Sequence, residues 1–257
     1  MKQSPWRHMR RSALIKALLG GLGGLLAVAA IVVVLARYEP GFYRQAANPQ
    51  AVGPGGEDVE ALARRAVSKA SAWHASIARP GRWDAAVAAA EINAWLATDL
   101  PRNHPGWLPR GVSQPRILFE PKRALLASRV GYGPLAAVAW LDLEIQLRDV
   151  NQLAITLNRA GLGAIPLPRM PILRELARRI AKLGMVTDLR RLDGRMVLMV
   201  YIPSTHDAGA TSYWLESLAI GAGELLVAGE TRSAALGVQF QDSKDQASKD
   251  QASNDQD

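Results

Sequence analysis

Residues 17–36 contain no charged side chain and consist only of Ala, Leu, Gly, Val and Ile. As an α-helix, these twenty residues would be about 30 Å long, which matches the hydrocarbon core of a bilayer. An uncharged segment of this length constrains the chain more than any other feature, because water cannot solvate it. The sequence therefore predicts one transmembrane helix over 17–36, with the lipid bilayer as the first partner.

The charges on either side of the apolar run predict its orientation. Five cations precede it: Lys2, Arg7, Arg10, Arg11 and Lys16. Arg37 and Arg44 follow it closely, and Glu39 offsets part of their charge. Cytoplasmic flanks carry the excess of Lys and Arg. We therefore expect residues 1–16 to be a basic cytoplasmic segment and the body to lie outside the cytoplasm.

Two details of the run leave alternatives open. Val34-Leu35-Ala36 could serve as a signal-peptidase site, but the apolar core exceeds the usual length of about 7–15 residues, which favours an uncleaved anchor. Gly20 and Gly24 have the four-residue spacing that lets two membrane helices approach closely. A homodimer through this face of the span is the corresponding prediction.

Composition excludes several classes of site. The chain has no cysteine, so it cannot form disulfides, thiolate metal sites or a cysteine nucleophile. Its net charge is +8, of which residues 1–16 alone carry +5. Much of the basicity therefore belongs to membrane topology. An exported body also argues against nucleic acid as a partner.

Beyond the span we expect a linker, one domain and a tail. Residues 37–56 end in a stretch rich in Pro and Gly and are assigned to the linker, and residues 57–232 to an exported domain. Residues 233–257 are predicted to be a disordered tail, since their end is polar and repetitive. Helical periodicity predicts an amphipathic helix over 58–79, and a second over 89–100 that Pro101 ends.

From residue 115 the apolar period changes from 3.6 to 2, which indicates strands. The longest run, Leu135–Leu147, alternates apolar residues with a polar face that includes Asp142 and Glu144. Asp193-Gly194 lies between two alternating runs and predicts a two-residue hairpin, and a second hairpin is expected near 214–229. The predicted fold is an α+β domain with a curved antiparallel sheet packed with amphipathic helices.

The sequence contains few candidate catalytic residues. The four histidines are not spaced to share a metal, and Ser204, His206 and Asp207 lack the turn that presents a nucleophile. Asp142 and Glu144 share a strand face and are the remaining candidates for acid–base catalysis. We interpret that face as an ordinary solvated one, and predict a protein that is not an enzyme and has no cofactor.

A basic helix near 171–183 is the more informative feature, with an apolar stripe opposite its cations. Such a helix suits an anionic lipid surface, although a helix that covers a sheet would show the same pattern. Trp107, in a Pro-rich loop, could cap the core or enter the bilayer. The predicted lipid-contact residues are Arg169, Arg174, Arg178, Arg179, Lys182 and Trp107.

Two motifs carry a resemblance to a group of bacterial single-span proteins with an exported α+β domain. Glu91-Ile92-Asn93-Ala94-Trp95-Leu96 matches their E-(I/L)-N-A-x-L helix, and Leu162–Pro168 resembles their G-x-(L/I)-P-(L/I)-P stretch. In architecture the chain is also similar to tubular lipid-binding folds. That similarity implies an apolar trough between the helix 58–79 and the inward face of Leu135–Leu147.

The leading hypothesis is a single-pass protein of the bacterial inner membrane with a periplasmic body. The body would contact or carry lipid without chemistry, and anionic lipid would be one ligand. The alternative is a scaffold or assembly factor that binds an envelope protein partner. A hydrolase that uses Asp142 and Glu144 is the third hypothesis.

Overall fold

Alternating apolar residues separated by tight turns divide most of the body into strands. The computed structural model describes residues 28–47, 58–133, 136–204 and 211–233. The helices are α1 (Gly41–Ala47), α2 (Val59–Ile77), α3 (Ala89–Asn103) and α4 (Arg169–Ala181), and residues 28–36 are also helical. The strands are β1 (Gly81–Ala88), β2 (Val112–Glu120), β3 (Arg123–Val130), β4 (Ala137–Asp149), β5 (Gln152–Leu162), β6 (Ile165–Pro166), β7 (Val186–Leu192), β8 (Arg195–Tyr201), β9 (Thr211–Ile220) and β10 (Glu224–Ser233).

These strands pair antiparallel in two sheets. The larger sheet has the order β2-β3-β4-β5-β8-β7, with β6 paired to β5, and it is curved but not closed. The smaller sheet has the order β1-β10-β9. The predicted α+β class with a curved antiparallel sheet is confirmed. Both predicted hairpins form, and Asp193 and Gly194 have the positive φ angles, 49° and 76°, that the tight turn requires.

The main core lies between the larger sheet and α4. Leu173 of α4 is 1% exposed and packs against Leu198 and Val200 of β8. The two sheets are joined by Asn151, whose side-chain amide donates to the carbonyl of Tyr213 at 2.9 Å and accepts from the amide of Leu215 at 2.6 Å. One buried side chain thus fixes the two sheets in register.

The E-I-N-A motif has a structural role in joining α3 to its neighbours. Glu91 is buried and accepts a hydrogen bond from Lys69 of α2 at 2.8 Å. Asn93 exchanges two hydrogen bonds, both 2.8 Å, with the backbone of Ile117 in β2. Ala94 is fully buried where α2 packs on α3. The motif therefore connects helix to helix and helix to sheet.

Helix α2 packs on α3 and β1. Leu141, Leu143 and Ile145 of β4 instead pack in the cluster that contains Leu173 of α4. Leu147, the last residue of that strand face, packs on the cluster of Trp83, Leu215 and Val227, as do Trp73 and Ile77 of the helix 58–79. The helix and the strand face therefore share a cluster at this end, whereas Leu141, Leu143 and Ile145 pack beneath α4. Residue 135, at the start of that predicted run, lies outside the described residues.

Two boundaries differ from those expected. Helix α3 continues past Pro101 to Asn103, because a proline in the last turn costs one backbone hydrogen bond and leaves the rest of the helix intact. Helix α1 lies inside the segment assigned to a linker, and Tyr43 and Ala46 are buried in it. These apolar residues were too few to show a helical period.

The predicted span is only partly covered by the structure. Residues 28–36 are helical, whereas 17–27, with Gly20 and Gly24, lie outside the described residues. Within the described part of the chain, no helix is both long and apolar enough to cross a membrane. Residues 234–257, nearly all of the predicted tail, also lie outside it.

Candidate functional site

One end of the larger sheet receives the helical segment 28–36. Val112 of β2 pairs with Val130 of β3, Val130 pairs with Ala137 of β4, and Leu162 lies beside the start of β4. The segment 28–36 contacts the turn that follows Leu162. We call this end of the sheet the proximal end. The three-stranded sheet joins the larger sheet at the opposite end, where Asn151 lies.

The docking of the helical segment depends on Gly163. The amide of Ala164 donates to the carbonyl of Leu35 at 2.8 Å. Gly163 has a φ of +60°, and a Cβ at this position would overlap the carbonyl oxygens of Leu35 and Ala36. The indole of Trp140 donates to the carbonyl of Gly163 at 2.8 Å and holds the turn from the other side. The Leu162–Pro168 motif thus forms the turn on which the C-terminal end of the helical segment docks.

The residues after the helical segment are packed on the same sheet. Glu39 forms an ion pair with Arg129 of β3. Tyr43 of α1 is buried against Ala127 and Val138. Contacts on both sides of residue 36 therefore fix the direction in which the helical segment leaves the body.

Two loops at the proximal end expose large aromatic rings. Trp107, between α3 and β2, is 67% exposed and stacks on His104 with 4.2 Å between the ring centroids. The interpretation of Trp107 as a cap on the core is wrong, because the loop holds the ring outward. Tyr132, between β3 and β4, is 72% exposed. Its exposure was not predicted from the sequence, although Gly131 and Gly133 on either side indicate a turn that projects its middle residue.

A cavity of about 630 Å³ lies at the proximal end between α3 and the chain that leads into β2. Its apolar lining includes Leu96, Leu100 and Leu108. Its polar lining includes Arg116, whose guanidinium donates to the carbonyl of Ala46 at the end of α1, at 3.0 Å. The cavity therefore adjoins the segment that follows the docked helix. It lies elsewhere than the trough expected beside the helix 58–79.

The predicted basic helix is α4, which packs on the larger sheet. Its cations are spread along the whole length of the helix. Arg169 lies at its start and Lys182 at its C-terminal cap. Arg178 and Arg179 both pair with Glu175, at 2.6 and 2.9 Å. The helix covers the sheet with its apolar stripe, so the arginines on its outer face lie in solvent. Arg174 is exposed there as well.

The polar face of β4 is not the solvated face that the sequence indicated. Asp142 is 1% exposed, accepts from Arg123 at 3.0 Å, and also contacts Arg159 and Asn158. Burial raises the pKa of the Asp142 carboxyl, but the Arg123 guanidinium, helped by Asn158 and Arg159, outweighs it and holds that pKa below its usual value. Glu144 lies nearer solvent, 3.6 Å from Arg195.

This arrangement leaves Asp142 no lone pair directed at a substrate, and it is part of an ion-pair network. Among the described residues there is no group of three His, Asp or Glu side chains that could hold a metal ion. Ser204 ends a described segment, and His206 and Asp207 lie outside it. The structure therefore does not test the set Ser204, His206 and Asp207, whereas it holds Asp142 in ion pairs.

The fold and this end of the sheet define an α+β body built onto the end of an apolar helix. Comparison with family models, curated proteins and solved structures gives no match.

Proposed function

We propose that this protein is a non-enzymatic domain of the bacterial cell envelope, anchored in the inner membrane, that takes up a lipid acyl chain at the membrane surface. The observation that carries the proposal is the position of the 630 Å³ cavity, at the sheet end where segment 28–36 docks. If residues 17–36 cross the bilayer as one helix, this end of the body faces the membrane.

The exposed side chains of the proximal end support the proposal. Val28, Ile31 and Val34 of the helical segment are 58%, 58% and 69% exposed, as expected of residues in contact with lipid. Trp107 and Tyr132 lie at the same end of the sheet, and aromatic rings of this kind favour the membrane–water interface. Both rings therefore lie at the end of the sheet from which the helix leaves the body.

The chemistry of the cavity fits an acyl chain with a polar head. A volume of about 630 Å³ is within the range of small-molecule sites, roughly 300–1,000 Å³. Moving an acyl chain from the bilayer to an apolar cavity gains little free energy, because both surroundings are apolar. Polar groups must therefore retain the lipid, and Arg110 and Arg116 line the cavity. The Nε of Arg116 is buried without a hydrogen-bond partner among the described residues.

The test uses the full chain reconstituted in vesicles that contain a phospholipid with a photoreactive group in its acyl chain. We expect crosslinks to peptides that contain residues 93–116, in addition to those from the span. Ala97 lines the cavity and is exposed, so Ala97→Trp should fill the cavity without disturbing the core and should abolish the 93–116 crosslinks. Ala72→Trp, on the exposed face of α2, is the matched control and should retain them. Crosslinks confined to residues 17–36 would refute the proposal.

A further inference from the structure

A second cavity, of about 220 Å³, lies between the start of α4 and the β7–β8 hairpin. Leu157 and Leu173 form part of its apolar floor. Three of its ten lining residues are arginines, Arg169, Arg191 and Arg195, and none of the ten is acidic. The hairpin brings together cations that are far apart in the sequence, and they share one small concave surface.

The acidic residues near this cavity leave its charge largely uncompensated. Arg169 donates to the carbonyl of Asn158 at 3.4 Å, and Arg191 has no ion pair within the described residues. The Arg195 guanidinium is 3.6 Å from the carboxylate of Glu144, so its charge is partly offset. Asp193, in the hairpin turn, does not line the cavity.

The other acids of these elements are engaged elsewhere. Glu175 pairs with the two arginines of the next turn of α4. Asp188 pairs with Arg190 at 2.6 Å, on the opposite face of β7 from Arg191. The cavity thus keeps at least two guanidinium groups, both on exposed residues, available for an anion.

We propose that this cavity binds the phosphate group of an anionic phospholipid. Guanidinium groups offer paired N–H donors that match phosphate oxygens, and a concave site places two of them on one anion. Asn158 lies four residues before Leu162, so the cavity is about 13 Å along β5 from the proximal end. The identification of a lipid as the source of the phosphate rests on the proposed function, whereas the anion site itself does not.

The test uses the full chain in detergent micelles, titrated with inorganic phosphate, and in nanodiscs made of phosphatidylglycerol or of phosphatidylcholine. Phosphorus NMR of the headgroup and of free phosphate reports binding. Arg169→Gln with Arg191→Gln should weaken binding at least about tenfold, because both paired donors are lost. Arg174→Gln with Arg178→Gln changes the net charge equally outside the cavity and should weaken it less than about twofold.

Each outcome separates the site from its alternatives. If both pairs of Arg→Gln substitutions lowered the binding affinity equally, the proposal would be overturned, because the anion would then be attracted by net charge alone. Binding of inorganic phosphate that Arg169→Gln with Arg191→Gln abolishes, together with no binding of either nanodisc lipid, would support the anion site and overturn its lipid source. Equal binding of the two lipids would overturn the choice of an anionic lipid, because both headgroups contain a phosphate. Absence of binding in both arms would overturn the site. The acyl-chain crosslinks to residues 93–116 do not depend on these arginines, so they fail or succeed independently.

Arg169 and Arg191 are both exposed, and their replacement should leave the fold intact. Circular dichroism and thermal unfolding of each double variant check this point. Arg169→Lys with Arg191→Lys keeps the charge but removes the paired donors, so it should retain less affinity than the native chain while binding more tightly than the Gln pair.

Discussion

Replacing Gly163 by Ala should detach the helical segment 28–36 from the body. The change has two costs. An L-residue at a φ of +60° is strained by about 1–2 kcal/mol. The new Cβ would also overlap the carbonyl oxygens of Leu35 and Ala36, which are backbone atoms and cannot rotate away. The segment has to move, and the hydrogen bond from the amide of Ala164 to Leu35 is then lost.

Gly194→Ala separates these two costs. Gly194 has a similar φ, +76°, but a Cβ there meets no atom within 4 Å. Both variants therefore carry the strain, whereas the overlap belongs to Gly163→Ala alone. Losing the hydrogen bond and leaving a backbone donor without its partner should add about 1–3 kcal/mol to the cost of Gly163→Ala.

Hydrogen exchange at the amide of Ala164 measures the effect directly, because that amide donates across the docking contact. In the full chain in detergent micelles, we expect slow exchange in the native protein and in Gly194→Ala. An additional 1–3 kcal/mol corresponds to exchange about 5–150 times faster in Gly163→Ala. Equal exchange at Ala164 in the two variants would refute the argument that this glycine is required by the docked helix.

Further predictions concern the buried polar groups and are measured by chemical denaturation in detergent. Asp142→Ala removes the buried carboxylate that pairs with Arg123 and leaves that guanidinium only its partly exposed pair with Glu120, so it should lower the free energy of unfolding by about 2–3 kcal/mol. Glu144→Ala should lower it by less than about 1 kcal/mol, and equal losses would contradict the assigned roles. Because the folded state lowers the pKa of Asp142, its contribution is present above the unfolded pKa near 3.9 and is lost as pH falls through the folded pKa. The stability difference between the native chain and Asp142→Asn should therefore shrink below about pH 4, and a constant difference would argue against this carboxylate. Asn151→Ala should cost about 2–4 kcal/mol, and Asn151→Gly, which relieves the positive φ of 58°, less than that; a cost near zero for Asn151→Ala would show that its bonds to β9 contribute nothing.

Local patterns in the sequence predicted the local elements of the fold well. The Asp193-Gly194 dipeptide between alternating runs determines a hairpin by backbone geometry alone, and that hairpin is present. Helix α2 was predicted from its periodic apolar stripe, whose residues Leu62 and Ala63 are buried. Such elements need no information from distant parts of the chain.

The errors arose where distant residues meet. Asp142 looked solvated because its own strand alternates, whereas its burial depends on arginines from β3 and β5. Helix α1 was assigned to a linker because Tyr43 and Ala46 are buried only by the sheet that later residues form. The cavity at the proximal end is likewise built from α3 and a loop that has no period of its own. Alternation within one strand contains no information about these contacts.

The docking of Leu35 and Ala36 into the turn at Gly163 couples the inclination of the body to that of the helix before it. Membrane helices tilt by about 20° on average, and the angle changes with the thickness of the bilayer. If residues 17–36 span the bilayer as one rod, a thinner membrane tips that rod, and the whole body leans with it. Trp107 and Tyr132 would then approach or leave the lipid as the membrane changes thickness, without any rearrangement inside the domain.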